Sequence, residues 1–237
     1  MTLIWSQSGW KLLPIEDHET YRLPVFVPHG QWPTLHLLAA LVRTLLPSLL
    51  VLFLWCSGVL AGVDDDYAER IAPLVHPAHL ATLSARGANP RIQKVVYWLE
   101  MARRDKSEPA KVLSLALAKV GMTNELAAEL TRDSLLRNHK IAGQLGCFDE
   151  SGLDEMRRGR SPTVRKGPYA GQALSVDHII PRSVAPELDN VLANLELLPL
   201  KLNQSKSDKV GQRQRTLAES FHRAGLLSEE GFRAVSR

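Results

Sequence analysis

The sequence predicts an α+β fold in which a mostly helical N-terminal part precedes a short strand–loop–strand–helix unit. Residues 64–142 carry apolar side chains at helical spacing, and two later apolar runs are short and end at Pro181 and Pro199, as strands do. The chain has 237 residues, of which 45% are hydrophobic and 23% are charged. This composition is that of an ordinary globular protein, long enough for one sizeable core or two small ones.

Residues 1–42 are left unassigned. The first 34 of them are rich in Pro, Trp and His and lack clear periodicity, which predicts no stable fold for that stretch on its own.

Residues 43–63 are predicted to be a membrane anchor or a signal segment. Residues 45–63 read LLPSLLVLFLWCSGVLAGV without a charge, and a helix of that length would span roughly 28 Å, close to a bilayer core. The small residues at 59–61 also fit a signal-peptide cleavage site, if translation starts near Leu41 or Val42. A buried core helix is the third interpretation, which the proline and glycines of the segment disfavour.

The charges that flank this segment predict its orientation. Arg43 precedes the uncharged run of residues 45–63, and Asp64, Asp65 and Asp66 follow it. The cationic flank of a membrane segment stays in the cytosol. We therefore expect an exported protein, periplasmic or secreted, or one anchored to the membrane with its C-terminal part outside the cytosol. The location is cytoplasmic if the segment is a core helix.

Residues 64–142 are predicted to form a helical domain of three or four packed helices. Gly121 is expected to end one of them, because glycine is favoured just beyond a helix C-terminus. Three helix starts are marked by residues that favour the N-cap position, namely Asn89, Ser107, and Thr123 or Asn124.

Residues 143–237 make up the remaining domain. It opens with a loop-rich, basic connection over residues 143–172. ALSVDHIIP then has the β-branched make-up of a short strand, and NLELLPL alternates leucines around Glu196 as a second strand. Residues 201–224 are helical in composition, and Ser228 can cap a final short helix.

Polar residues lie at the junctions of these elements. Asp177 and His178 stand where the first strand ends, Asn194 where the second begins, and Asn203 and Lys206 where the helix begins. The text VDHIIPRS…LANLELLPLKLNQSKSD resembles the HNH endonuclease family, whose core is a ββα-metal finger. The resemblance covers about 35–40 residues and depends on the joint occurrence of these parts, with the two asparagines nine residues apart.

The resemblance implies a metal-dependent endonuclease that hydrolyses phosphodiester bonds in DNA, with His178, Asn194 and Lys206 as its catalytic set. His178 would be the general base, since a neutral imidazole accepts a proton at physiological pH. Asp177 and Asn203 would hold one divalent metal ion, Mg²⁺ or else Mn²⁺, through hard oxygen ligands. Asn194 would brace the loop and orient the histidine, and Lys206 would contact the phosphate. Many members carry histidine where this chain has Asn203, which leaves the metal preference open.

No structural zinc is expected in this chain. Its two cysteines, Cys56 and Cys147, are far apart, and there is no Cys-x-x-Cys pair, whereas many family members bind zinc through two such pairs. Apolar packing would therefore have to hold the finger together.

The charge distribution favours a polyanionic partner. The net charge is +4, and residues 157–215 hold eleven Lys and Arg against five Asp and Glu, a local net charge of +6. We expect Arg182, Arg165, Lys166 and Lys209 to bind the nucleic-acid backbone, and no base-reading element is visible. An inactive DNA-binding or membrane-associated scaffold and an RNA-directed nuclease are the alternatives, and the oligomeric state is not readable from the sequence.

Overall fold

The computed structural model describes residues 2–6, 9–13, 62–206 and 208–237. Strands β1 (Thr2–Ser6) and β2 (Gly9–Leu13) pair antiparallel, with Thr2 opposite Leu13 and Ser6 opposite Gly9. No stable fold was predicted for this stretch on its own. A two-residue connection between two short runs favours a hairpin, although a two-stranded hairpin is marginally stable by itself.

The segment predicted to be a membrane anchor or signal covers residues 43–63, and residues 43–61 of it lie outside the described residues. Among the helices that the structure does describe, none combines the length and the apolar character that crossing a membrane requires. The described residues from 62 onward belong to one compact unit.

Six helices lie within residues 62–172, and their apolar faces pack into one core. The central helix buries Ile92, Val95, Val96 and Leu99 completely, at the helical spacing seen in the sequence. The helices are α1 (residues 62–75), α2 (Pro77–Ala81), α3 (Asn89–Arg104), α4 (Pro109–Lys119), α5 (Glu125–Gln144) and α6 (Glu150–Arg157).

Several of the predicted helix ends are confirmed and two are wrong. Asn124 caps α5 by accepting a hydrogen bond from the third residue along, and Gly121, with φ of +66°, ends α4 in the left-handed conformation. Ser107 does not cap α4, whose N-cap position is Glu108. Asn89 lies inside α3, where the following proline occupies the first turn.

Helix α6 interrupts the stretch that was expected to be a loop-rich connection. The Asp149 carboxylate caps it by accepting a hydrogen bond from the Gly152 N–H at 2.8 Å. Leu153 and Met156 are buried, and α6 packs against α3. This packing favours a helix in a segment whose glycines and prolines predict a loop.

Two short strands follow, and with the helices they confirm the α+β class. Strand β3 (Leu174–His178) pairs antiparallel with β4 (Leu195–Pro199), and helix α7 (Leu200–Ser205) continues directly from β4. The helix expected over residues 201–224 is divided, because the chain is extended at Lys206 and the next helix, α8, covers Gln212–Arg223. We call residues 174–205 the ββα unit.

Helix side chains form hydrogen bonds with both outer edges of this two-stranded sheet. The Gln93 side chain on α3 donates a hydrogen bond to the Leu174 carbonyl at 3.0 Å. On the other edge, Asn138 on α5 donates to the Leu195 carbonyl at 2.9 Å and accepts from the Leu197 N–H at 2.8 Å. The helices thereby replace the neighbouring strands that a larger sheet would supply.

The C-terminal helices cover the loop that joins β3 to β4. This loop contains two 3₁₀ turns, Pro186–Leu188 and Leu192–Asn194, and it packs under α8 and the last helix, α9 (Glu229–Ser236). The apolar cluster that joins them consists of Ile180, Ala185, Leu188, Ala193, Ala218, Phe221, Leu227 and Val235.

Candidate active site

A cavity of about 270 Å³ opens beside the end of β3. Five of the residues singled out in the sequence line it, which places both ends of the ββα unit around one space. The lining residues are Arg86, Asp177, His178, Pro181, Arg182, Ser183, Asn203, Lys206 and Asp208.

His178 is held in one orientation at the wall of this cavity. It is 8% exposed, and its Nε2 lies 3.0 Å from the backbone carbonyl of Asp189. Because a carbonyl can only accept, Nε2 of the neutral ring carries the hydrogen and Nδ1 keeps its lone pair. Nδ1 makes no hydrogen bond to any described residue, so the ring presents a basic nitrogen that is free to accept a proton.

Asp189 contributes a carboxylate behind the histidine, and the sequence analysis missed it. Its Oδ1 lies 3.1 Å from His178 Nε2 but has no aligned hydrogen-bond donor among the described residues, because the ring N–H is directed at the carbonyl. Its Oδ2 accepts a hydrogen bond from the backbone N–H of Arg86 at 2.7 Å. Asp189 therefore links the histidine to the loop between α2 and α3.

Arg86 is a second residue that the sequence did not reveal. Its φ of +62° puts it in the left-handed region, which residues other than glycine seldom adopt. Arg86 lines the cavity, and its backbone N–H contacts Asp189, which lies 103 positions away in the sequence. No local sequence pattern indicates a contact over that separation. Its side chain forms no ion pair with another described residue.

Asn194 lies behind the cavity and is completely buried. Its amide oxygen accepts a hydrogen bond from the Ile180 N–H at 2.8 Å, and its amide nitrogen donates to the Ile180 carbonyl at 3.0 Å. Its own carbonyl accepts from the Ile179 N–H at 2.7 Å. These bonds fix the two residues that follow His178, so Asn194 touches the loop and not the cavity.

Lys206 bridges two groups at the end of β3. Its ammonium lies 2.6 Å from Asp177 Oδ2, 2.6 Å from the His178 carbonyl and 3.9 Å from Glu196 Oε1. Asp177 and Glu196 are directly opposite each other in the sheet, where like charges destabilise a pair. The lysine therefore pairs with Asp177 and reduces its repulsion with Glu196 at the edge of the cavity.

Asn203 offers an oxygen to the same space. Its amide nitrogen donates to Ser175 Oγ at 3.0 Å and to the Val176 carbonyl at 3.3 Å. This pattern assigns the nitrogen to the strand side, so Oδ1 is the amide atom left for a ligand.

The oxygen atoms at the cavity fit a hard divalent cation. Asp177 Oδ1 and Asn203 Oδ1 make no hydrogen bond to a described residue, and Mg²⁺ in proteins is often held by one or two carboxylate or carbonyl oxygens with waters and phosphate. Within the described residues there is no group of three or more His, Cys, Asp or Glu side chains placed to hold a metal. The donor set therefore suits a metal that keeps several ligands from solvent or substrate.

Comparison of the chain with protein-family models, with curated proteins and with solved structures found no match.

The other residues expected to bind nucleic acid are spread over different surfaces. Arg182 lines the cavity, with its Nε 3.9 Å from Asp189 Oδ1. Arg165 is paired with Asp149 at 2.7 Å, and Lys166 and Lys209 are exposed but do not line the cavity.

Proposed function

We propose that this protein is a metal-dependent endonuclease of the HNH type that hydrolyses phosphodiester bonds in DNA. One observation carries the proposal. A histidine with a fixed N–H and an unpartnered basic nitrogen shares a cavity with two oxygen donors, on a strand–loop–strand–helix unit. The sequence resemblance to the HNH family supports the same assignment.

Asp177 and Asn203 are the residues that would hold the metal ion, through Oδ1 of each side chain. Bound Mg²⁺ or Mn²⁺ would supply Lewis-acid stabilisation of the negative charge that develops on the phosphate.

His178 is the general base in this proposal. Its Nδ1 takes one proton from a water molecule, whose oxygen forms a bond to phosphorus as the bond between phosphorus and the 3′-oxygen breaks. The 3′-oxygen takes a proton from solvent, which leaves a 5′-phosphate and a 3′-hydroxyl. The hydrogen bond from Nε2 to the Asp189 carbonyl keeps the ring in the tautomer that this step needs.

Cationic side chains around the cavity would position the phosphate. Arg86 and Arg182 both line it and keep more of their charge available than Lys206, which contacts Asp177 at 2.6 Å. Guanidinium groups bind phosphate oxygens in a bidentate fashion, so these two arginines are the phosphate ligands in our proposal.

A plasmid-cleavage assay tests the proposal directly. The full-length protein is incubated with supercoiled plasmid in Mg²⁺, Mn²⁺ or EDTA, and nicking is followed over time. His178→Ala should lower the rate by at least about 100-fold, the range typical for loss of a general base. His79→Ala removes an exposed histidine on α2 and should retain wild-type activity. Cleavage that is equally fast in EDTA or in His178→Ala would refute the assignment.

A catalytically inactive DNA-binding protein is the second candidate, and the Lys206 contact favours it. An ammonium 2.6 Å from Asp177 Oδ2 competes with a metal ion for that carboxylate. DNA binding without cleavage under every metal would support this candidate, and cleavage of RNA in preference to DNA would redirect the proposal to an RNA nuclease.

We further propose that residues 45–63 direct the chain out of the cytosol, either as a signal segment that is cleaved or as a membrane anchor that is retained. The support is the uncharged run between Arg43 and the three aspartates at 64–66. Sequencing the N-terminus of the protein from its native cells tests the cleaved form. A mature start near residue 62 would support a signal segment, and retention of Met1 would exclude it.

A further inference from the structure

A second cavity, of about 330 Å³, lies where α5, the loop after β3 and the first turns of α8 meet. Its wall carries two arginines and three neutral hydrogen-bonding side chains, with only two apolar residues. The lining residues are Arg137, Ile179, Gln212, Arg213, Thr216, Leu217 and Ser220.

The two arginines of this cavity share a single buried carboxylate. Arg213 Nη1 and Nη2 lie 3.1 Å and 2.6 Å from the two oxygens of Glu196, which is 4% exposed. Arg137 donates from Nη2 to Ser134 Oγ at 3.0 Å, and it is attracted to Glu196 at longer range. Asp133 also attracts Arg137, but it is exposed, lies outside the cavity wall and is paired with Arg132 at 3.6 Å. Two guanidinium groups beside one carboxylate therefore leave an excess positive charge at the cavity wall.

Arg137 has hydrogen-bonding capacity that the described residues do not use. Its Nε is buried and has no hydrogen-bond partner among them. Burial lowers the pKa of Arg137, although a guanidinium stays protonated at any physiological pH. An anion in the cavity would compensate both the charge and the unpaired donor.

This cavity is a close neighbour of the candidate active site. Ile179 in its wall directly follows His178 in the chain, and Glu196 faces Asp177 across the sheet. Lys206 lies between the two carboxylates, 2.6 Å from Asp177 and 3.9 Å from Glu196.

We propose that Arg137 and Arg213, with Thr216 and Ser220, bind a second phosphodiester group of the nucleic-acid strand whose neighbouring phosphate lies in the active-site cavity. A singly charged phosphodiester matches one excess positive charge, and its oxygens accept from guanidinium and hydroxyl donors. The identity of the ligand as a nucleic-acid strand rests on the proposed nuclease function. The site itself rests on the charge and the unused donor of this cavity.

The first test places a negative charge at the cavity and leaves both arginines in place. Thr216 is exposed on α8, so Thr216→Asp should fold, and Thr216→Asn is its neutral control of the same shape. Binding of a labelled DNA duplex to the full-length protein is measured by fluorescence anisotropy in EDTA. We expect Thr216→Asp to bind about tenfold more weakly than Thr216→Asn, because the two differ only in a charge that repels the phosphate.

The second test removes a phosphate contact and reads it from the salt dependence of binding. Arg137→Gln should lower the slope of log K against log salt by about 0.9, the value for one lost phosphate contact in duplex DNA. Arg157→Gln is the matched control, since Arg157 is exposed and paired with Asp154 at 2.7 Å on α6. Should Arg137→Gln fail to fold, as judged by circular dichroism, the Thr216 pair decides the question.

Duplexes in which single phosphates are replaced by neutral methylphosphonates locate the contact. One replacement near the cut site should weaken binding to wild type and leave binding to Thr216→Asp unchanged. In cleavage assays the variants should raise KM with kcat within about twofold, because a remote phosphate is bound alike in ground and transition states.

Failure of this inference and failure of the nuclease proposal give different results. If the protein cleaves DNA and neither Thr216→Asp nor Arg137→Gln changes its affinity, salt slope or KM, the second phosphate site is overturned and the nuclease proposal stands. Binding that depends on the cavity, in a protein that never cleaves, would support the site and refute the nuclease.

Discussion

Replacing Asn194 by alanine would test whether one buried amide holds the loop that follows His178. The Asn194 side chain pairs with both backbone groups of Ile180, accepting from the N–H at 2.8 Å and donating to the carbonyl at 3.0 Å. Ile180 is completely buried as well, so water cannot replace these bonds without a change in packing.

The expected cost follows from the two groups left unpaired. A buried donor or acceptor without a partner costs about 1–3 kcal/mol, so two of them cost about 2–6 kcal/mol, and local relaxation favours a value of about 3 kcal/mol. For a protein of this size, each kcal/mol lowers Tm by about 2–4 °C. We therefore expect Asn194→Ala to melt about 6–12 °C below wild type.

Thermal unfolding by circular dichroism, with cleavage assays alongside, provides the measurement. Asn203→Ala is the matched control, because Asn203 is partly exposed and water can replace its hydrogen bonds. It should change Tm by less than about 3 °C while it removes metal-dependent cleavage, whereas Asn194→Ala should lose stability first. A Tm for Asn194→Ala within about 2 °C of wild type would refute the bracing argument.

Three further predictions concern residues outside the cavity. Burial acts to raise the pKa of Glu100, but hydrogen bonds from two arginines and His139 outweigh it and lower that pKa to about 2, while burial lowers the pKa of His139. Because both pKa values are lower in the folded protein, the unfolded chain binds more protons, and the free energy of unfolding measured in urea should fall as the pH drops from about 6.5 towards 2. Glu100→Gln should flatten the part of this curve below about pH 4.5. The same acid dependence in wild type and Glu100→Gln would contradict this. Gly87→Ala would put a methyl group 2.8 Å from Leu83 Cβ and 2.9 Å from the Ser84 carbonyl oxygen, in the loop between α2 and α3. It should destabilise the fold by about 1–3 kcal/mol and slow cleavage. Wild-type stability and cleavage rate would show that the loop adapts. Burial raises the pKa of the Cys147 thiol to about 11. In a Cys56→Ser background, the folded protein should therefore resist iodoacetamide at about pH 8 and react only in urea. Equal labelling rates with and without urea would contradict the burial of Cys147.

The residues that sequence reasoning placed at the cavity are those whose position depends on local structure. Asp177 and His178 end a strand, and Asn203 follows the paired strand by a few residues, so an antiparallel register brings them together. Strand composition and proline positions were enough to locate the two strands and their ends, although not their pairing. Their proximity was therefore predictable from about 30 consecutive residues of sequence.

The residues that were missed depend on contacts between distant parts of the chain. Arg86 reaches Asp189 across 103 positions, and neither residue stands in a recognisable pattern. The ion pair of Lys206 was not predicted for a related reason. The sequence shows a lysine at a helix end, but only the folded structure shows that its partner is Asp177.

The buried amides that close the edges of the small sheet make the ββα unit a poor candidate for transplantation. Gln93 and Asn138 come from the helical part, so a fragment cut before residue 174 would expose both strand edges and leave the carbonyls of Leu174 and Leu195 without these donors. Open strand edges pair with other chains, so such a fragment should aggregate. We therefore expect the ββα unit to need helices α3 and α5 for solubility and for an ordered cavity. A chimaera that carries residues 174–205 without these helices should have neither.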